Sequence, residues 1–201
     1  KKTKEKSNAT GIEVNLILCT LRHYSEKQSL ETINLIKDFE GENVVGFDIA
    51  ADESGFPLDN HTKAFELANE SNIYCTAHAG EALGAHSVSE TLEKLKPSRI
   101  GHGVRSIEDK FLLKKLKANN IHLELCLTSN IVTKVYKSFK DHPVDFLYKN
   151  DFSISINTDG RTISDTNLNN EYGILGTHFN WIKSHFLKVN INSMEASFAN
   201  L

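Results

Sequence analysis

Six short apolar runs, rich in β-branched and aromatic residues, alternate along the chain with segments whose apolar residues recur at helical spacing. The runs cover residues 13–20, 43–49, 73–78, 99–102, 121–127 and 152–158. Between them, Leu30, Ile33, Ile36 and Phe39 share one helical face and Phe65 and Ala68 a second. Val88, Leu92 and Leu95 make a third, and Ile107, Phe111 and Leu116 a fourth. A short helix is predicted over 143–149, and the stretch from about residue 167 reads as helical. Strands that alternate with helices pair in parallel, because parallel neighbours need a crossover between them. No Gly-x-Gly-x-x-Gly or P-loop pattern follows any run, so a nucleotide-phosphate fold loses its main support. The expected fold is α/β, a parallel (β/α)8 TIM-type barrel, incomplete here with about six strands present.

Local signals punctuate that pattern. Ser25 with Gln28 and Ser87 with Glu90 read as capping boxes, Ser106 as a further helix cap, and Gly41 and Pro97 as helix stops. Residues 51–57 and 128–130 read as loops. No low-complexity linker interrupts residues 1–201, which are taken as a single barrel domain.

The formal net charge is −3 and the lysines are dispersed, so no nucleic-acid partner is expected. The opening Lys1-Lys2-Thr3-Lys4-Glu5-Lys6, interrupted by Glu5 and without aromatic company, reads as a solvated helix end. The apolar runs are strand-sized and no secretory h-region follows the basic start, so no membrane association is expected. Cys19, Cys75 and Cys126 each lie within an apolar run, which points to buried free thiols in a reducing, cytoplasmic compartment.

In a parallel barrel the carboxyl ends of the strands converge on one mouth. Those ends carry His23, Asp48, His78 with Glu81, His102 and Asp159. His78 can act as a metal ligand or a base, and Glu81, beyond the Gly80 bend, as a general acid once burial raises its pKa. The alternative is a capped strand end with a satisfied histidine and a solvated glutamate. Two histidines and two carboxylates around one cavity suggest a metal that activates water, zinc foremost, against a barrel with merely polar strand caps. His23 is read as a structural ion-pair or hydrogen-bonding position. His61, His86, His122, His142, His178 and His185 are given packing or surface roles.

Four strand ends in order, Thr76-Ala77-His78-Ala79-Gly80-Glu81, Arg99-Ile100-Gly101-His102-Gly103-Val104, Cys126-Leu127-Thr128-Ser129-Asn130-Ile131 and Ile156-Asn157-Thr158-Asp159, resemble motifs of the adenosine deaminase family. The likeness extends to Cys19-Thr20-Leu21-Arg22-His23, to Phe47-Asp48-Ile49-Ala50-Ala51-Asp52-Glu53 and to Val189-Asn190-Ile191-Asn192-Ser193. The resemblance implies a metal-dependent (β/α)8 barrel that hydrolyses adenosine or deoxyadenosine to inosine or deoxyinosine and ammonia. It implies His78 and Asp159 as zinc ligands and Glu81 as the proton donor to purine N1. His102 would orient or deprotonate the attacking water.

The resemblance is incomplete in three places. The family's His-x-His pair, which supplies two further zinc ligands, has no counterpart, and the first two βα units are absent, so the chain is identified as a carboxyl-terminal portion. Ala51 stands where the family commonly has a glycine whose N–H faces the purine. Gly160 stands where it often has a second aspartate on the purine ring. Both positions are therefore taken as substrate-binding, with adenine, AMP or a methylated derivative as the alternative substrate. Residues 50–60 and 80–87 contain no Lys or Arg, which argues against AMP. Two protein ligands hold zinc weakly, and a barrel short of two strands exposes two edges. The expected partners are a purine nucleoside and either the missing amino-terminal barrel segment or another chain on those edges. Alone, these residues are expected to be an inactive piece of the enzyme. The competing reading is a non-catalytic purine-binding or interaction fragment.

Overall fold

A computed structural model of the chain describes residues 2–39 and 42–199. The six runs form one sheet: β1 (Leu16–Leu21), β2 (Val44–Ala50), β3 (Tyr74–Ala79), β4 (Arg99–His102), β5 (His122–Leu125) and β6 (Ile154–Ile156). Their order in the sheet is their order in the chain, and every pair is parallel. The helices are α1 (Lys2–Thr10), α2 (Glu26–Asp38), α3 (Thr62–Glu70), α4 (Ala85–Lys94), α5 (Lys110–Ala118), α6 (Leu127–Val132), α7 (Val144–Lys149), α8 (Arg161–Ser164), α9 (Leu168–Phe179) and α10 (Lys183–Glu195). Each β-to-β connection carries at least one helix, as parallel pairing demands.

The Ser25–Gln28 capping box forms and starts α2. The other two caps differ from expectation. Helix α4 begins after Gly84, so Ser87 lies inside its first turn and the Ser87–Glu90 box does not form. Asp109 rather than Ser106 caps α5, accepting from the N–H groups of Phe111 and Leu112. That start turns Leu112 and Leu116 into the core and leaves Phe111 81% exposed. Residues 128–130, expected as loop, fall within α6. The expected stop at Gly41 lies outside the described residues.

Apolar side chains fill two clusters. One joins Ile33 and Ile36 of α2, Phe47 and Ile49 of β2, Phe65 of α3 and Ala77 of β3. The other joins β4 to β6 with α4, α5, α7, α9 and α10. Strands β1 and β6 each pair on one side only, so among the described residues the sheet does not close on itself. All three residues of β6 are buried, with α10 packed on it. In contrast, β1 leaves Leu16 and Cys19 exposed, a correction to the expected burial of all three thiols, of which Cys75 and Cys126 are buried. Among the described residues no helix is long and apolar enough to cross a membrane.

Candidate active site

His78 lies next to last in β3, opposite Gly101 of β4. A Cβ on Gly101 would sit 3.0 Å from His78 Cγ, so the glycine leaves room for the imidazole to lie against the neighbouring strand. His78 Nδ1 is 3.2 Å from the carboxylate of Asp48, two residues before the end of β2. Burial pushes the His78 pKa down, but the Asp48 carboxylate, with Glu124 and Asp159 beyond it, lifts it to about 9. Arg22, buried at the tip of β1, donates from Nη2 to the His78 carbonyl at 2.9 Å and from Nη1 to the Phe56 carbonyl at 3.3 Å.

His102 ends β4, buried, with its ring centroid 5.4 Å from that of His78. Its tautomer follows from its neighbours. The Val144 N–H donates to His142 Nδ1 at 3.2 Å, so in neutral His142 the hydrogen sits on Nε2. Burial holds His142 neutral, with its pKa lowered to about 3. His142 Nε2–H donates to Asn130 Oδ1 at 3.2 Å, which turns the Asn130 amide nitrogen toward His102 Nδ1 at 3.1 Å. His102 Nδ1 is thus an acceptor, and neutral His102 carries its hydrogen on Nε2, 3.5 Å from Glu81 Oε2. Burial also pushes the His102 pKa down, against the opposing pull of Glu81.

Glu81 follows the Gly80 bend, where φ is +69 and a side chain would collide with Val88. Its Oε1 accepts from Thr133 Oγ1 at 3.1 Å. Asp159, exposed beyond β6, accepts from Ser129 Oγ at 2.7 Å. Ser129, Asn130 and Thr133 lie in α6 and at its end, so this one short helix holds Asp159, His102 and Glu81. Ala51 is exposed at the end of β2 with φ +78, and His102 and Asp159 also have positive φ, at +61 and +53. Left-handed backbone also occurs at turns and helix ends elsewhere, but at these three strand tips it bears on the aim of the site, which the surrounding structure has to hold. Gly160 caps α8, and a Cβ added there would meet only Ile163 at 3.6 Å, so the position has room for a side chain. Arg161 lines a cleft of about 750 Å³ together with Asp159, Asn167 and Tyr172. His23 is exposed and edge-on to Tyr24 and Phe56, an aromatic contact in place of the expected ion pair or hydrogen bond among the described residues.

The sequence alone assigns no part in the site to Arg22, Glu53, Asn130, Ser129 or Thr133, and gives His142 only a packing or surface role. Their contacts with the site cross 28 to 56 residues of chain for Asn130 to His102, Ser129 to Asp159, Thr133 to Glu81 and Arg22 to His78, beyond the reach of any local pattern. The usable signal was position: Glu53 and Arg22 follow strand ends as the named candidates do.

The donor set suits zinc in kind. An imidazole whose far nitrogen is held by a carboxylate is the usual state of a metal-ligating histidine, and His78 Nε2 has no hydrogen-bond partner among the described residues. The set falls short in number, since no three His, Cys, Asp or Glu side chains among the described residues form a metal-holding group, and zinc sites need at least three protein ligands.

A family model described as adenosine deaminase matches residues 1–201. An adenosine deaminase from Clostridium kluyveri is 38% identical over 190 residues, 94% of this chain and 55% of that protein. An adenine deaminase from Mesorhizobium japonicum is 35% identical over 191 residues, 95% of this chain and 59% of that protein. The chain thus spans little more than half the length of these relatives. Among solved structures, an N6-methyl-AMP deaminase from Arabidopsis thaliana superposes with a TM-score of 0.86 at 29% identity, covering 93% of this chain and 55% of that one. An amidohydrolase from Burkholderia ambifaria, solved with bound Zn, gives 0.90 at 19% identity over 98% of this chain and 56% of that one, a likeness of fold alone.

Proposed function

Because this chain belongs to the adenosine deaminase family, we propose that it forms part of a metal-dependent hydrolase that removes the 6-amino group of a purine, adenosine or deoxyadenosine foremost. The observation that carries the reading is the meeting of His78, Glu81 and His102 at neighbouring strand tips, with Asp159 tied to the same helix, α6. In the reaction, water oxygen bonds to C6, the C6–N6 bond breaks, and ammonia leaves behind a 6-oxo purine.

Each side chain has a part in this scheme. Glu81 gives a proton to purine N1, which makes C6 electrophilic. His102, with Nδ1 engaged by Asn130 and hydrogen on Nε2, orients the attacking water as a donor rather than removing its proton. Ala51 and Gly160 border the purine. His78 and Asp159 would hold zinc, with further ligands from polypeptide outside these residues. When bound, zinc supplies a water of lowered pKa and a Lewis acid.

Two observations bear on the substrate. Residues 50–60 and 80–87 lack Lys and Arg, which favours a nucleoside. Arg161 beside Asp159 offers one cation, which keeps a nucleoside monophosphate as the second reading. The test is the absorbance change of adenosine converting to inosine, with stoichiometric zinc, by this chain joined to the amino-terminal segment of its Clostridium kluyveri relative. Turnover that disappears in Glu81→Gln supports the proposal. No turnover of any 6-aminopurine by the joined protein, or full turnover in Glu81→Gln, overturns it.

A further inference from the structure

Glu53 follows β2 in the chain and is 7% exposed, yet among the described residues it forms no salt bridge with a Lys or Arg. Instead its carboxylate accepts five hydrogen bonds from the segment that follows β3. Oε1 takes the Gly80 N–H at 2.7 Å and the Ser87 hydroxyl at 2.5 Å. Oε2 takes the N–H groups of Glu81, Ala82 and Leu83 at 3.1, 2.6 and 3.0 Å. Four successive amides around one anion make a concave cradle in which the carboxylate plays the part that a bound phosphate or sulfate plays elsewhere. Arg22 completes the frame from the other side, since it donates to the carbonyl of His78 and its charge interacts with that of Glu53.

This arrangement leaves the functional side chains out of the scaffold. Every bond from Glu53 goes to backbone, or to Ser87 in α4, while the Glu81 carboxylate faces His102 and Thr133. Gly80 at φ +69 provides the bend that lets the following N–H groups converge. Neutral side chains cannot reproduce the cradle: a glutamine presents one acceptor oxygen and turns its NH2 donors against N–H groups.

We propose that Glu53 is a positioning residue that fixes the 80–83 backbone and thereby aims Glu81 at His102; the catalytic consequence rests on the deaminase reading above, the geometric one does not.

The experiment is amide hydrogen exchange and NMR on the isotope-labelled chain, wild type against Glu53→Gln and Ser87→Ala. In Glu53→Gln the amides of Gly80 to Leu83 are expected to exchange about 100-fold faster, while those of Leu123 and Leu125 in β5 keep their protection. Ser87→Ala, which removes one bond and no charge, is expected to accelerate the same amides about fivefold. The His102 ring resonances in Glu53→Gln are expected to move toward their positions in Glu81→Gln. A Leu112→Ala control, destabilised away from the site, should move neither the loop amides nor the His102 ring. Unchanged exchange over 80–83, or His102 resonances that stay put while the loop opens, would overturn the positioning role. In the joined protein of the deamination assay, Glu53→Gln should lower kcat about 100-fold with KM changed less than about threefold. An unchanged kcat there overturns the catalytic consequence. Absence of wild-type turnover instead overturns the deaminase reading, and the exchange and resonance data still decide the role of Glu53.

Discussion

The buried histidines away from the strand tips, His61, His122 and His142, and the pair His78 and His102 at them are the same residue in two different conditions. His61 donates from Nε2 to the Arg22 carbonyl and accepts at Nδ1 from Ser29. His122 has Ser153 on one ring nitrogen and Ser155 on the other. His142 is likewise engaged at both. Burial pushes all three pKa values down, that of His122 to about 4. At the tips, His78 and His102 each have one nitrogen fixed by a neighbour and the other turned elsewhere, that of His102 toward Glu81. A histidine with two committed nitrogens is structure. One with a single committed nitrogen is aimed, and it is there that a ligand or a proton can be handled.

The largest difference between the two kinds of group is expected at Glu81. Glu81→Gln in the joined protein should lower the deamination rate by about a thousandfold or more, with the melting temperature shifted by no more than about 2 °C. Equal losses of stability and rate would place Glu81 with the structural groups.

His122 should behave in the opposite way. His122→Leu leaves the Ser153 hydroxyl without its partner and strips one from Ser155. Denaturant unfolding should show a loss of about 3 kcal/mol. Turnover at temperatures where the variant is folded should be unchanged.

The buried histidines also make stability depend on pH. Unfolded histidine titrates near about 6.5, while folded His122 titrates at about 4, so between these values the unfolded chain binds more protons. Its contribution is complete above about pH 6.5 and is lost as pH falls through about 4, amounting to about 3 kcal/mol. His142, lowered to about 3, acts in the same direction. Unfolding curves collected from pH 7.5 to 4 should show this slope, and His122→Gln should flatten part of it. A slope that is unaltered in that variant would contradict the assignment.

Much of this fold was legible because its signals are local. Alternation of apolar runs with helical faces marked all six strands within a few residues, and the polar residue closing each run located His78, His102 and Asp159. The errors came where two local patterns compete. Ser87 and Glu90 have capping-box spacing, but Gly84 starts α4 earlier and Ser87 bonds to Glu53 instead. Residues 128–130 lack helical periodicity because α6 is shorter than two turns and faces the site. The carboxylate behind His78 and the Asn130–His142 chain behind His102 depend on which strand ends meet in space, and no single stretch of sequence carries that.

The smallest effect concerns backbone strain at the tips. Ala51 has φ +78, a conformation that disfavours any Cβ. Ala51→Gly should stabilise the chain by about 1 kcal/mol, read as a rise of melting temperature. A loss of stability would mean that the Ala51 methyl makes contacts that outweigh its strain.

The most direct test of the distinction is a zinc titration into the chain in the millimolar range, followed through the ring nitrogen resonances of each histidine. His78 Nε2 is expected to move into the range of a metal-bound imidazole, and the ring nitrogens of His61, His122 and His142 to stay where they are. Zinc that shifts His61, His122 or His142, or that leaves His78 untouched at saturation, would contradict that distinction.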